Sequence, residues 1–203
     1  MGMDPRCAHA SMRRFVLLYL AGASLLALAC NRTPPPSPLQ PEATIKDIMD
    51  SMVDPSADVL WESVATTISA AGTEELQPRT DDDWRNVHRN AVILVEATNL
   101  LKMDGRRVAK SKEKSENPGI ELEPEQMEKL INNDRPAFIK FAQGLHDAAM
   151  PALKATEDRN PAALLDAGEP IDKACENCHL KYWYPLSEQA QKAKEGTGSP
   201  RKP

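Results

Sequence analysis

Aromatic residues are scarce in this chain: three Phe, three Trp and three Tyr make up 4% of its 203 residues. A core so poor in large flat side chains leaves room for a flat apolar body supplied from outside the chain. Cysteine and histidine are scarce too, with four of each. Cys7 and Cys30 lie in an N-terminal segment outside the expected fold. A zinc site at Cys175 and Cys178 would therefore lack further Cys or His at ligand spacing. Long apolar runs are missing: the uncharged stretch Phe15 to Ala29 is too short to span a membrane as a helix. Positive charge is not in excess, since the net charge is −5. Residues 1–29 set Asp4 against Arg6, Arg13 and Arg14, so the remainder is more acidic still. That balance argues against nucleic acid and acidic membrane surfaces as partners. No acid–base pair or nucleophile constellation appears and no internal repeat is evident, so catalysis is not expected.

What is present is a run of five residues, Cys175-Glu176-Asn177-Cys178-His179. Cys-x-x-Cys-His is the attachment signature of c-type haem. Each thiol adds across one vinyl group of the porphyrin, and the following histidine faces the iron as proximal ligand. On a helix, positions i, i+3 and i+4 share a face, so one face carries both thioethers and the ligand. The cofactor expected is one covalent haem c, which also supplies the flat apolar body. A thioredoxin-like reading needs a strand before the motif, and none is evident. A structural disulfide Cys175–Cys178 is the alternative left open.

The N-terminus reads as an export signal. Arg13 and Arg14 form a basic region and Phe15–Ala29 an apolar one. Met12 is a candidate start, with residues 1–11 as an upstream extension. Leu26-Ala27-Leu28-Ala29-Cys30 resembles the bacterial lipoprotein signal, in which the cysteine is lipidated and becomes the new N-terminus. Ordinary cleavage near Ala29 is the other reading. Residues 30–41, with Pro34-Pro35-Pro36-Ser37-Pro38 and Pro41, suit a stiff extended tether. The expected location is the periplasm, with a lipid anchor to the membrane through Cys30.

Residues 42–186 read as the folded domain and 187–203 as a flexible tail. A short helix is expected near 42–53, a break or kink at Asp54, and a second segment from Pro55 to about Ala71. Thr80 opens the next helix, with Asp81, Asp82 and Asp83 favouring its dipole and Trp84, Val87, Ala91, Leu94, Thr98 and Leu101 forming its stripe. Residues 104–119 read as a surface loop. Glu123-Pro124 opens a short helix ending near Asn133. Pro136 starts a long helix, with Asp134 as cap and Pro151 as an internal kink. Asn160-Pro161 opens the last, which carries Cys175 and Cys178 on its core stripe and stops at Pro185. Four amphipathic helices with short connections predict an all-α, antiparallel four-helix bundle.

A haem motif near the C-terminus of such a chain resembles the cytochrome c-prime family. The resemblance rests also on Met49-Asp-Ser-Met-Val-Asp-Pro-Ser-Ala-Asp-Val-Leu-Trp61, on Pro78-Arg79-Thr80-Asp81 with Trp84, and on Cys178-His179-Leu-Lys-Tyr182-Trp183. It implies a haem held between helices, His179 as proximal ligand and a distal face built by the first helix. Lys181 matches a basic residue common two after the haem histidine in gas-binding members. Two functions follow as expectations. One is a one-electron carrier between redox partner proteins, with Met49 ahead of Met52 as sixth ligand. The other is an NO- or CO-binding module with five-coordinate iron. His88 and His146 are weaker candidates for the sixth position. A homodimer stays open.

Overall fold

The computed structural model describes residues 39–70 and 72–185. All of them belong to the second of two compact units, Leu39–Pro203. The expected leader, most of the tether and the tail lie outside the described residues.

The described residues are mostly helical. In chain order they form α1 (Ile45–Ile48), a π-helical turn (Met49–Val53), α2 (Asp54–Glu62), strands β1 (Ala65–Ser69) and β2 (Gly72–Leu76), α3 (Asp81–Leu101), α4 (Pro124–Asn133), α5 (Arg135–Glu157), α6 (Pro161–Asp166) and α7 (Gly168–Tyr182). The starts follow local capping chemistry. Thr44 and Asp47 exchange hydrogen bonds in a capping box at α1, as Thr80 and Asp83 do at α3. Asp134 accepts from the Ala137 amide at α5, and Asn160 from the Ala163 amide at α6. Lys110 and the Thr44 amide hold the Asp47 carboxyl down at about 2.

Two expectations are corrected and a third takes a specific form. First, the break or kink expected at Asp54 is a π turn that ends at Val53, with α2 starting at Asp54. Pro55 has no N–H, and its ring crowds the carbonyl four residues back. The helix widens into the π turn, where the Asp54 amide donates to the Met49 carbonyl. Secondly, the helical segment does not reach Ala71. It stops at Glu62, where Ser63 Oγ donates to the Leu60 carbonyl at 2.8 Å. An antiparallel hairpin follows, pairing Ala65 with Leu76 and Ser69 with Gly72. Gly72 stands at φ +129°, a conformation that favours glycine. Every described strand residue is exposed, so the hairpin adds nothing to the core. It is also an element that an all-α fold does not include. Thirdly, the last helix is divided at Ala167 into α6 and α7.

The core lies where α3 packs on α5 and α5 on α7. Small side chains let α3 and α5 approach: Ala91 and Ala97 from one, Ala142, Ala149, Ala152 and Ala155 from the other, all buried. The expected stripe of α3 is buried throughout, from Trp84 to Leu101. Helix α5 runs on through Pro151. At the start of α7 the Trp61 indole Nε1 donates to the Gly168 carbonyl at 3.2 Å. A Cβ at Gly168 would stand 3.2 Å from Trp61 Cδ1, so only glycine fits without a shift.

The segment 104–119, expected as a surface loop, is tied into the fold. The Ile45 and Lys46 amides donate to the Arg107 and Val108 carbonyls, both at 2.9 Å. Val108 and Ala109 are buried. Arg106 is buried as well, its guanidinium donating to the carbonyls of Leu100 and Ala43.

Candidate functional site

Helix α7 places Cys175, Cys178 and His179 one turn apart on the face turned to α5 and the π turn, all three half-buried. Both thiols are free. Loss of hydration, then the negative charge of Asp54, pushes Cys175 up to about 11. Loss of hydration pushes Cys178 up to about 12. A redox-active Cys-x-x-Cys shows the opposite shift, toward neutral pH. Burial moves His179 below its usual range, opposed by Glu176. A neutral imidazole is the form that ligates a metal. Its ring is packed edge-on by Trp183 at 4.9 Å and flanked by Tyr184, whose hydroxyl donates to Glu176 at 2.6 Å.

Two hollows meet at this helix face. A small one of about 30 Å³ is lined by Cys175, Cys178 and His179 on one side. Opposite them stand Met49, Val53, Leu101, Phe138, Phe141 and Leu145. A larger one of about 300 Å³ opens beside it between α1, the 108–121 segment, α4 and α7. Met49, Asp54, Phe138, Cys178 and His179 line both. Larger hollows exist, but neither Cys175, Cys178 nor His179 lines them. The few aromatics concentrate here. Of the seven in described residues, Phe138, Phe141, Tyr182, Trp183 and Tyr184 surround the motif.

Met49 therefore lines both hollows together with His179, while Met52 lines neither. His88 and His146 stand elsewhere: His88 Nδ1 lies 3.0 Å from Thr156 Oγ1, and His146 Nδ1 lies 3.1 Å from Asp147. Reading the sequence missed Asp54 as a site residue. Its carboxyl is raised by lost hydration first, then by Asp50 and Asp58. It also missed Val108 and Ala109, and Met127 and Ile131 of α4, as walls of the larger hollow. A π turn between two α-helices is a frequent mark of functional positions, but the sequence alone gives no direct signal for it.

The residues fit a covalently attached haem. Two thiols and an imidazole project from one helix face into apolar space. The Tyr182 hydroxyl, buried beside that space, has no hydrogen-bond partner, an orphan that a bound group could satisfy. Among the described residues no cluster of three or more His, Cys, Asp or Glu suits a bare metal ion. No helix among them is long and apolar enough to cross a membrane. No family model matches the chain, and comparison with curated proteins and with solved structures finds no match either.

Proposed function

We propose that the protein is a c-type cytochrome that carries one electron at a time between redox partner proteins of the bacterial cell envelope. The observation that carries this is the shared lining. Cys175, Cys178 and His179 bound one apolar space whose opposite wall includes Met49. Bound there, haem c would supply reversible one-electron chemistry at its iron. The chain does the rest. Cys175 and Cys178 tether, and His179 ligates in its neutral form. Val53, Leu101, Phe138 and Leu145 exclude water from the site, which disfavours the added charge of an oxidised centre. Met49 offers a thioether to the sixth position. The reading is of a carrier, not an enzyme.

The fold reading is an antiparallel four-helix bundle of the cytochrome c-prime type. It is supported by a closed ring of neighbours, α2 on α3, α3 on α5, α5 on α7 and α7 on α2. Periplasmic location with a lipid anchor at Cys30 rests on the sequence of the leader. The second reading is an NO- or CO-binding protein. The mostly apolar wall facing His179 favours it, since such a wall admits neutral diatomic molecules when no side chain closes the sixth position. One pair of optical spectra, oxidised and reduced, separates the two. A carrier with methionine ligation is low-spin in both states, whereas an open site is high-spin. Spectra without a haem band would sink both readings.

A further inference from the structure

The site has two approaches of opposite charge. The mouth of the 300 Å³ hollow carries Lys46 and Lys114 against Asp50, Asp54, Glu116 and Glu121. On the other side of α7, an open groove of about 850 Å³ runs between α5 and α7. Lys140, Lys173 and Lys181 line it, and no carboxylate does. Lys173 is paired with Glu169, one turn before it. Lys140 and Lys181 have no ion-pair partner among the described residues. Lys181 Nζ stands 5.8 Å from the ring centres of both Phe141 and Tyr182, which holds its charge close to the aromatic cluster. Such a basic groove is notable on a chain of net charge −5.

The groove and the space beside Cys175 and Cys178 are neighbours. Phe141 and Ala174 line both, so a wall one residue thick separates them. The chain's own ends do not match the groove in charge. Beyond Pro185 lie Lys192, Lys194, Arg201 and Lys202 against Glu188 and Glu195, and the leader is basic as well.

We infer that the Lys140–Lys181 groove is the docking face for an acidic redox protein, which seats carboxylates on the lysines and an apolar patch over Phe141 and Leu180. This rests on the proposed carrier function. Local positive charge beside the exit point steers an anionic partner to the thin wall, although the molecule as a whole repels it.

Two anionic probes test this on the haem-loaded full chain. The redox-inert trianion hexacyanocobaltate(III), titrated in by NMR, should shift the amides of Gly144, Asn177 and Lys181, and leave those at the mouth of the larger hollow unmoved. With hexacyanoferrate(III), one electron passes from the reduced protein to the trianion. The second-order rate should fall as ionic strength rises, although net charge alone predicts a rise. Lys140→Glu with Lys181→Glu should lower that rate about tenfold at low salt and invert the salt dependence. The paired Lys→Arg variant should keep both, and circular dichroism of each variant checks folding. A rate that rises with salt in the wild type overturns the inference, as do shifts confined to other faces. So does a dimer by light scattering whose dilution shifts Gly144 and Asn177, because the groove is then filled by a second copy. A chain without a haem band removes the carrier reading and this inference together. A haem band with the wrong salt dependence removes only the inference.

Discussion

Replacing Met49 by alanine separates a structural methionine from a ligating one, because Met52 supplies the matched control. Both are half-buried and packed against the same core cluster. Full truncation of a buried methionine costs about 2–5 kcal/mol, so half-buried positions should lose about 1–2 kcal/mol each. For a domain of this size that lowers Tm by roughly 5 °C. The stability losses should therefore be similar. The spectra should not. Met49 lines both hollows with His179, and Met52 lines neither. Met49→Ala should convert a low-spin ferric spectrum to high-spin and lower the reduction potential, since thioether ligation raises it. Met52→Ala should leave both unchanged. Ferric absorption and electron paramagnetic resonance, with melting followed by circular dichroism, read all of this. A wild type already high-spin, or a spectral change in Met52→Ala alone, refutes the assignment. In the first case NO binding becomes the leading function.

Gly168→Ala should cost about 1–3 kcal/mol by overpacking, because the new Cβ meets Trp61 at 3.2 Å; thermal melts of the variant and of a Trp61→Phe, Gly168→Ala double variant check it, and the double variant should recover part of the loss. In the haem-free chain, Cys175 and Cys178 stay protonated when folded while unfolded thiols ionise near 9, so the folded state holds more protons from pH 9 to about 11 and its stability falls across that window. Urea titrations at pH 8 and pH 10 should show the loss, and haem attachment, which removes both thiols, should abolish it. Mass spectrometry of the natively expressed protein should find a lipidated Cys30 as the first residue; an unmodified Cys30 removes the anchor and leaves export standing.

Features set by neighbouring residues were legible in the sequence. Thr80, Asp134 and Asn160 cap helices where their side chains can reach amides three residues on, and those starts fall where expected. The buried stripe of α3 follows from its period. The end of α2 was not legible for a physical reason. Leu60, Val64, Thr67 and Ala71 keep helical spacing, yet the β-branched run Thr66-Thr67-Ile68 and the left-handed Gly72 favour a hairpin. Asp54-Pro55 was a visible anomaly. Whether such a proline breaks a helix or widens one turn depends on packing, which spacing does not report. At the site, Cys175, Cys178 and His179 could be found because their chemistry is carried in five consecutive residues. Val108 and Ala109 could not, because the charged 104–119 segment is placed by hydrogen bonds to α1, far away in sequence; nor could Met127 and Ile131, because nothing in the spacing of α4 says which element its apolar face meets.

The central claim is covalent attachment of one haem through Cys175 and Cys178. The most direct measurement extracts the denatured protein with acidic organic solvent and follows the haem colour. Colour should stay on the polypeptide in the wild type and be absent from a Cys175→Ala, Cys178→Ala variant. Colour that leaves the wild-type chain, or that stays on the variant, contradicts it.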